Sequence, residues 1–599
     1  MGEGPRPATR TNAGFNGANR AFRGVNAYFW DMTNSDIVEQ LELTGKLLEL
    51  HGENDFKVRG YQNAAFGLDK TTVDLTTLPI ADLSKLPGVG KSIAVRIDEI
   101  RRTGTTPELD ELLAKTPEGV LQMFRIKGIG PKKIRQIWLD LGIQDPHDLL
   151  LACEAGEVAK LKGFGEKTQE TIRTNLLFLE QNAAKLRMDV AAGLGEVLRE
   201  ALANAGFEVV VTGELRRKSE VVSQIELLVS TDEPLRVQAV LNGFDFLEQD
   251  RAASTPFTWR GKFVDRKIPI QIGTCPPAEL ARQNFLQSAA EAHLRHWTDQ
   301  GTLRSAALRD GFTTEEAFYQ KLQLPYILPE QREGQIEFNS RLETRNPQLI
   351  TWDALRGIVH NHSTYSDGKH TLEQMARHCQ ELGFEYFGIA DHSQSATYAN
   401  GLPVYRIEQQ HDEIDRLNET FAAEGTAFRI LKGIESDILG DGSLDYPDEV
   451  LARFDYVVAS IHSNLKMTEE RAMQRLLGAI ENPYTTILGH PTGRLLLIRE
   501  GYPVDYRTLI DACAAHGVVI ELNASPYRLD LDWRWIPYAL EKNVLISINP
   551  DAHEQAGFQD MHYGVAVARK GGLTREMTFN ALGVGEMLGY LRDRKHAKS

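Results

Sequence analysis

Nine potential metal ligands, six imidazoles and three carboxylates, close a series of apolar runs in the C-terminal part of the chain. GIVHNHSTYSDG carries His360, His362 and Asp367, YFGIADHS carries His392, and ILKGIESD carries Glu435. VVASIHSN, TTILGHPTG and ISINPDAH then carry His462, His490, and Asp551 with His553. Mixed imidazole and carboxylate donors suit Mn²⁺, Zn²⁺ or Fe²⁺ better than Mg²⁺. Several such ions held together can activate water and neutralise the oxygens of a phosphoester, so no protein nucleophile is required and none is assigned. A further run, GVVIELNASP, ends in Glu521 and Asn523, which are placed to orient ligands rather than bind. His370, His378, His411 and His516 fall in surface or helical stretches and are read as incidental. Lys466, Arg494 and Arg499 are candidate phosphate contacts.

These residues need a scaffold that brings strand ends together. From about Leu355 the apolar runs alternate with stretches of helical period, such as TLEQMARHCQELG and VDYRTLIDACAAHG. Alternating strand and helix imply parallel strands, with the ligands at the C-terminal ends, where β/α barrels keep their sites. The expected fold here is a β/α barrel.

Upstream, three segments share one shape: an apolar residue, Gly-x-Gly, then an amphipathic helix. They are LSKLPGVGKSIAVRI (Gly88, Gly90, Lys91), MFRIKGIGPKKIRQIW (Gly128, Gly130, Lys132, Lys133) and VAKLKGFGEKTQETI (Gly163, Gly165, Lys167). The glycines allow a tight turn that leaves backbone N–H groups at a helix N-terminus, which favours a phosphate. Lys127 and Lys162 lie beside the same turns. One such turn is weak evidence, but three within about ninety residues are a repeat. They resemble helix-hairpin-helix motifs, which grip a nucleic-acid backbone without reading its sequence.

The 599 residues exceed a single core and imply several domains. A net charge of −16 does not exclude DNA, because a metal domain collects carboxylates while binding needs only a local basic face. No apolar run is long enough to span a membrane, and the N-terminus lacks a signal peptide's apolar segment, so a cytoplasmic location is expected. Cys153, Cys275, Cys379 and Cys513 are scattered and read as reduced, buried thiols. Residues 1–32, rich in Gly, Asn, Ala and Arg, read as a disordered tail in which Arg10, Arg20 and Arg23 are solvated. Ordered pattern begins just after Met32, a candidate native start, with Asn34 or Ser35 as helix cap.

The chain as a whole resembles the bacterial family X DNA polymerases that carry a C-terminal PHP domain. ENDFKVRGYQNAAFGLD (53–69), the three hairpins, GELRRKSEVVSQIELLV (213–229) and LPYILPEQREGQIEF (324–338) follow that family's order. The C-terminal H-x-H, trailing Asp, D-H, G-x-E, S-x-H, G-H-P and D-x-H follow the PHP pattern. The resemblance implies a multidomain DNA-repair protein. An all-α region comprises a lyase-like domain with the first hairpin (33–120) and a fingers-like hairpin region (121–185). An α+β nucleotidyltransferase-like palm (186–280) and a thumb-like segment with linker (281–345) follow. The PHP phosphoesterase, a distorted seven-stranded β/α barrel, occupies 350–599. It further implies three ions, with Mn²⁺ favoured: one on His360, His362, Glu435 and Asp551, a second on Glu435, His462 and His490, a third on Asp367, His392 and His553.

The palm departs from the family. Where the resemblance calls for three carboxylates on adjacent strands to hold two ions, this chain has Gln224, Glu226 and Gln271, and Glu214 stands in the triphosphate turn. Glutamine is a poor Mg²⁺ ligand, so the palm is expected to be an inactive scaffold. The leading expectation is a monomeric, nucleoid-associated 3′→5′ exonuclease or 3′-end phosphodiesterase on gapped or 3′-ended DNA, with cleavage at abasic sites included. An active polymerase with a nuclease, a small-molecule phosphatase of histidinol-phosphatase type, and a non-catalytic DNA scaffold are the alternatives.

Overall fold

The computed structural model describes residues 32–71, 73–264, 267–338 and 348–596. The expected tail, with Arg10, Arg20 and Arg23, lies outside them apart from Met32. The described chain forms two compact units, one helical and ending at Ala184, the other running from Lys185 onward.

The helical unit opens with Asn34–His51. Its cap is Thr33, not Asn34 or Ser35: the Thr33 hydroxyl accepts from Asp36 N, and Thr33 N donates to the Asp36 carboxylate at 2.8 Å. Asn34 is engaged elsewhere, bonding Leu75 N and Val73 O at 2.7 Å each. Helices Lys91–Thr103, Pro131–Leu141 and Glu166–Asn182 follow the three Gly-x-Gly turns, as expected. Each buries a stripe at helical spacing: Ile93 and Ile97, Ile134 and Ile137, Ile172 and Leu176.

In the second unit, a five-stranded sheet runs in the order Glu208–Val211, Ile225–Ser230, Pro269–Cys275, Thr258–Phe263, Leu247–Gln249. Only Ile225–Ser230 and Pro269–Cys275 pair in parallel, and helix Met188–Asn204 packs across the first two strands of that order. Short helices between Leu280 and Lys321 then close around Phe285, Leu303, Phe318 and Tyr319.

The C-terminal strands are all parallel but fall into two sheets. One holds Gly357–Ile358, Tyr386–Gly388 and Arg429–Leu431; the other holds Gly433–Asp437, Tyr456–Ser460, Ile487–Leu488, Val519–Asn523 and Ile546–Asn549. The single barrel ladder expected from the sequence is therefore divided, and the division falls at Lys432, between two strands that are otherwise consecutive. Isolated parallel bridges, His392 with Glu435 and Asn361 with Ala552, join the two sheets. Both bridges lie at metal-ligand segments.

Candidate metal centre

The ligand segments leave their strands as the sequence predicts. His360 follows Gly357–Ile358, His392 follows Tyr386–Gly388, His462 follows Tyr456–Ser460, His490 follows Ile487–Leu488, Asp551 follows Ile546–Asn549, and Glu435 lies within Gly433–Asp437. All nine side chains converge. Glu435 is the hub: His360 Nε2, His462 Nε2 and His490 Nε2 stand 3.2, 3.2 and 3.1 Å from its Oε1, and His392 Nδ1 stands 2.9 Å from Oε2. Asp551 Oδ1 lies 3.0 Å from His362 Nε2 and 3.6 Å from His360 Nε2. Asp367 Oδ1 lies 3.4 Å from His553 Nε2 and 3.6 Å from His392 Nε2.

Four groups of donors close enough to share an ion result. They are His360, His362 and Asp551; His360, Glu435 and His490; His392, Glu435 and His462; and His362, Asp367, His392 and His553. Relative to the expected partition, His362 also reaches the Asp367 corner, His392 also reaches Glu435, and His462 and His490, expected on one ion, fall in separate groups that share Glu435. The donor set fits divalent ions. His360 Nε2, His362 Nδ1, His392 Nδ1 and Glu435 Oε2 are buried yet make no hydrogen bond. Donor atoms that face one another without hydrogen-bond alignment are arranged as for a common ion. Burial opposes the charge of Glu435, but His462, His360 and His392 outweigh it and hold its carboxyl well below the usual range. Burial likewise opposes protonation of His462, yet Glu435 and Asp437 push it up to about 10.

The ligands are held from behind. Glu521 Oε1 lies 2.5 Å from His360 Nδ1 and accepts from Asn549 Nδ2, while its Oε2 accepts His490 N at 2.7 Å. Asn523 Nδ2 donates to Asp551 Oδ2 at 3.1 Å. Both residues orient ligands, as their position at a strand end suggests. Asp437, two residues beyond Glu435, was not singled out by the sequence reading; its Oδ1 sits 2.5 Å from His462 Nδ1 and its Oδ2 accepts from Ser395. The available signal was period-2 alternation, which puts Glu435 and Asp437 on one strand face. Asp437→Ala is expected to weaken divalent-ion affinity about ten- to a hundredfold by freeing the His462 ring. Titration calorimetry with Mn²⁺ checks this, and unchanged affinity would remove Asp437 from the site.

Two other residues were missed. Asp391, fully buried, accepts from Ser363 N, Ser366 N and Gln410 Nε2 and so pins the loop between His362 and Asp367. Arg528 Nε lies 3.5 Å from Asp551 Oδ2. Three ligands carry unusual backbone: His360 at φ 62°, Asp551 at 54° and His490 at 20°. Side chains with a Cβ resist that region, at a cost of about 1–3 kcal/mol each.

Arg494 is not available to substrate, contrary to expectation. It is largely buried and donates to the carbonyls of Arg528 and Leu529, to Asp532 at 3.0 Å, and to Glu220. Its planar fork is consumed by protein acceptors. Arg499 donates to Gly493 O at 2.7 Å, whereas Lys466 is exposed.

At the hairpins, Gly88, Gly128 and Gly163 adopt φ of 77°, 89° and 82°, and Gly90, Gly130 and Gly165 cap their helices with no side-chain bond. A Cβ on Gly88 would also stand 2.5 Å from Asn63 O. The turns thus leave helix N–H groups free of side-chain caps, the arrangement that receives a phosphate. Lys91, Lys132 and Lys167 are exposed; Lys132 approaches Glu49 at 3.7 Å, and Lys133 lies 5.3 Å over the Phe164 ring.

On the palm-like sheet, Glu226 and Gln271 pair in register and touch at 3.4 Å, and Arg260 Nε donates to Gln271 Oε1 at 3.0 Å. Gln224 immediately precedes the Ile225–Ser230 strand. Glu214 is turned onto Ser223, accepting from its N at 2.6 Å and its Oγ at 2.8 Å. Burial, the largest influence, pushes Glu226 up to about 7.

Comparison with known proteins agrees with this layout. A helix-hairpin-helix domain matches residues 32–106, a SAM-like helix-hairpin-helix tandem matches 120–175, and a PHP domain matches 359–525. A protein of Bacillus subtilis (strain 168) described as "DNA polymerase/3'-5' exonuclease PolX" is 33% identical over 585 residues, 94% of this chain and 100% of the relative. A probable phosphatase of Thermoanaerobacter sp. (strain X514) is 26% identical over 249 residues, 40% of this chain and 94% of that protein. The PHP match ends before Asp551 and His553, which the fold returns to the same centre.

Proposed function

This chain belongs to the PolX family, the bacterial family X DNA polymerases with a PHP domain, and from that premise we propose that its working activity is the nuclease. The reading is a metal-dependent 3′→5′ exonuclease or 3′-end phosphodiesterase, cutting also at abasic sites, in a chain whose polymerase activity is lost. One observation carries it: nine side chains of metal-ligand type gather in overlapping groups, and five of the imidazoles lie within 3.7 Å of one carboxylate, Glu435.

His360, His362, Glu435 and Asp551 would hold one ion, Glu435, His462 and His490 a second, and Asp367, His392 and His553 a third, with Mn²⁺ favoured over Zn²⁺ or Fe²⁺. When bound, such ions supply Lewis acidity and charge neutralisation for phosphodiester hydrolysis. The chain's own residues fix that geometry. Glu521 and Asp437 hold ring orientations, and Asp391 fixes the Ser363–Ser366 loop. The Asp367–His553 corner has side chains 22% and 37% exposed, and it is the side on which a strand end would enter.

The hairpins would hold DNA by its backbone, without sequence preference, through Gly88, Gly90, Lys91, Gly128, Gly130, Lys132, Lys133, Gly163, Gly165 and Lys167. Gapped DNA or free 3′ ends, a monomeric protein and a nucleoid-associated cytoplasmic setting complete the reading, with domain limits as expected from the sequence. Against polymerase activity stand Gln224 and Gln271, neutral where ions need charge, Glu226 with its carboxyl pushed up to about 7, and Glu214 committed to Ser223. The small-molecule phosphatase reading leaves three hairpins without a role.

The test pairs two assays on one preparation. With Mn²⁺, 5′-labelled DNA is expected to shorten stepwise from its 3′ end, while a primer–template with all nucleotides shows no extension with Mg²⁺ or Mn²⁺. Extension above a no-enzyme control would restore the polymerase reading, and intact label after incubation would remove the nuclease.

A further inference from the structure

Close in the chain to the candidate ligand His462, the C-terminal domain carries a cavity that hydrolysis itself does not use. Its volume is ≈ 650 Å³, and Asn464, Lys466, Met467, Arg471 and Arg475 line it. That size falls within the range of about 300–1,000 Å³ in which small-molecule sites lie. It begins two residues past the ligand His462. Over the four residues from His462 to Lys466 the chain can travel at most about 14 Å, so the cavity stays within reach of a strand held at the centre.

Its charge is unusual. Arg475 is 1% exposed, and it donates to the carbonyls of Leu439 and Ser463 at 3.0 Å each and to that of Ile438. Arg471 donates to Gly440 O and to Gln474 Oε1, both at 2.5 Å. Lys466 is exposed. Among the described residues none of these three cations forms a salt bridge within 4.0 Å; Asp441 acts on Arg471 and Asp437 on Arg475 only through space, so the cluster stays net positive. Asp441 accepts from Ser443 N and Oγ, and Glu469 and Glu470 lie exposed on the first turn of Glu469–Glu481; none of the three lines the cavity. Met467 adds a polarisable apolar surface of the kind that accepts a flat ring.

We infer that this cavity binds one nucleotide unit of a nucleic-acid strand, its phosphodiester against Lys466 and Arg471 and its base or sugar against Met467, next to the bond cleaved at the metal centre. The inference rests on the nuclease reading for its orientation, but the site can be tested by binding alone. The probe is a short, 5′-labelled, phosphorothioate-linked oligothymidylate, followed by fluorescence anisotropy on the full chain with Lys91, Lys133 and Lys167 replaced by alanine. Lys466→Ala is expected to raise Kd about tenfold and lower the salt slope by about one; Lys466→Arg should retain most of the affinity. Lys542→Ala removes the same charge elsewhere on the C-terminal domain and should leave Kd unchanged. Mn²⁺ affinity, read by calorimetry, should not move in any of these variants. An unchanged Kd and slope in Lys466→Ala would overturn the site, as would an equal loss in Lys542→Ala. A chain that binds the probe through Lys466 yet cuts no DNA would keep the site and remove the nuclease reading.

Discussion

Glu435→Ala is expected to lower DNA hydrolysis about a thousandfold or more, the size of effect that follows from losing several kcal/mol of charge stabilisation. The reason is local. His360, His462 and His490 all approach one oxygen of this carboxylate within 3.2 Å, and His392 approaches the other. Removing it leaves four imidazoles around a fully buried position with no shared anion. Divalent ions would then face neutral donors alone in that part of the site, and affinity would fall with activity. Glu435→Gln separates charge from volume, because it keeps the shape while the neutral amide ligates weakly. It should fall nearly as far. Calorimetry with Mn²⁺ alongside digestion of 5′-labelled DNA reads both effects; either variant retaining wild-type cutting would sink the assignment of Glu435 as hub.

Arg494→Ala is expected to be the most destabilising single change outside the core, by about 3–5 kcal/mol, as for breaking one side of a buried ion pair. Glu220 would be left buried, with Arg534 the nearest cation at 3.9 Å. Three further acceptors, two carbonyls and Asp532, would also lose a donor. Arg494→Lys should rescue little, since a single ammonium cannot reproduce the fork. The measurement is the melting transition of the unit that holds both residues, followed by calorimetry with circular dichroism as a second probe. A variant that melts like wild type but binds DNA more weakly would return Arg494 to the phosphate-contact role that its place after Gly-His-Pro suggests. The pair also bears on the nuclease, because Arg494 fixes the loop from which Arg528 reaches Asp551.

The nine residues that the fold brings together were legible because each belongs to a local pattern: an apolar run, then a polar residue where a parallel strand ends. The hairpins were legible for the same reason, three copies of one short turn. What escaped the sequence depends on partners far away in the chain. Arg494 meets Glu220 across 274 residues, Asp391 meets Ser363 across 28, and nothing near either residue announces the partner. Thr33 displaced the expected cap because Asn34 is drawn to Leu75, a contact 41 residues distant. The interruption at Lys432 was hidden because ILKGIESD was read as one strand segment, although Lys432 and Gly433 stand in its middle. The palm was the reverse case: residue identity alone pointed to lost ion binding, and the fold adds how Glu214 and Glu226 are otherwise occupied.

The left-handed backbone at His360, His490 and Asp551 has a consequence beyond catalysis. An ion that binds only the folded chain shifts the folding equilibrium by mass action. Here it would draw that gain from the very segments under conformational stress. Two of those segments, at His360 and Asp551, adjoin a bridge that joins the two sheets, Asn361 with Ala552. Starvation for metal and loosening of the seam are then one event seen from two sides. The enzyme's lifetime in a metal-poor cell would be set by the same turns that set its rate in a metal-rich one.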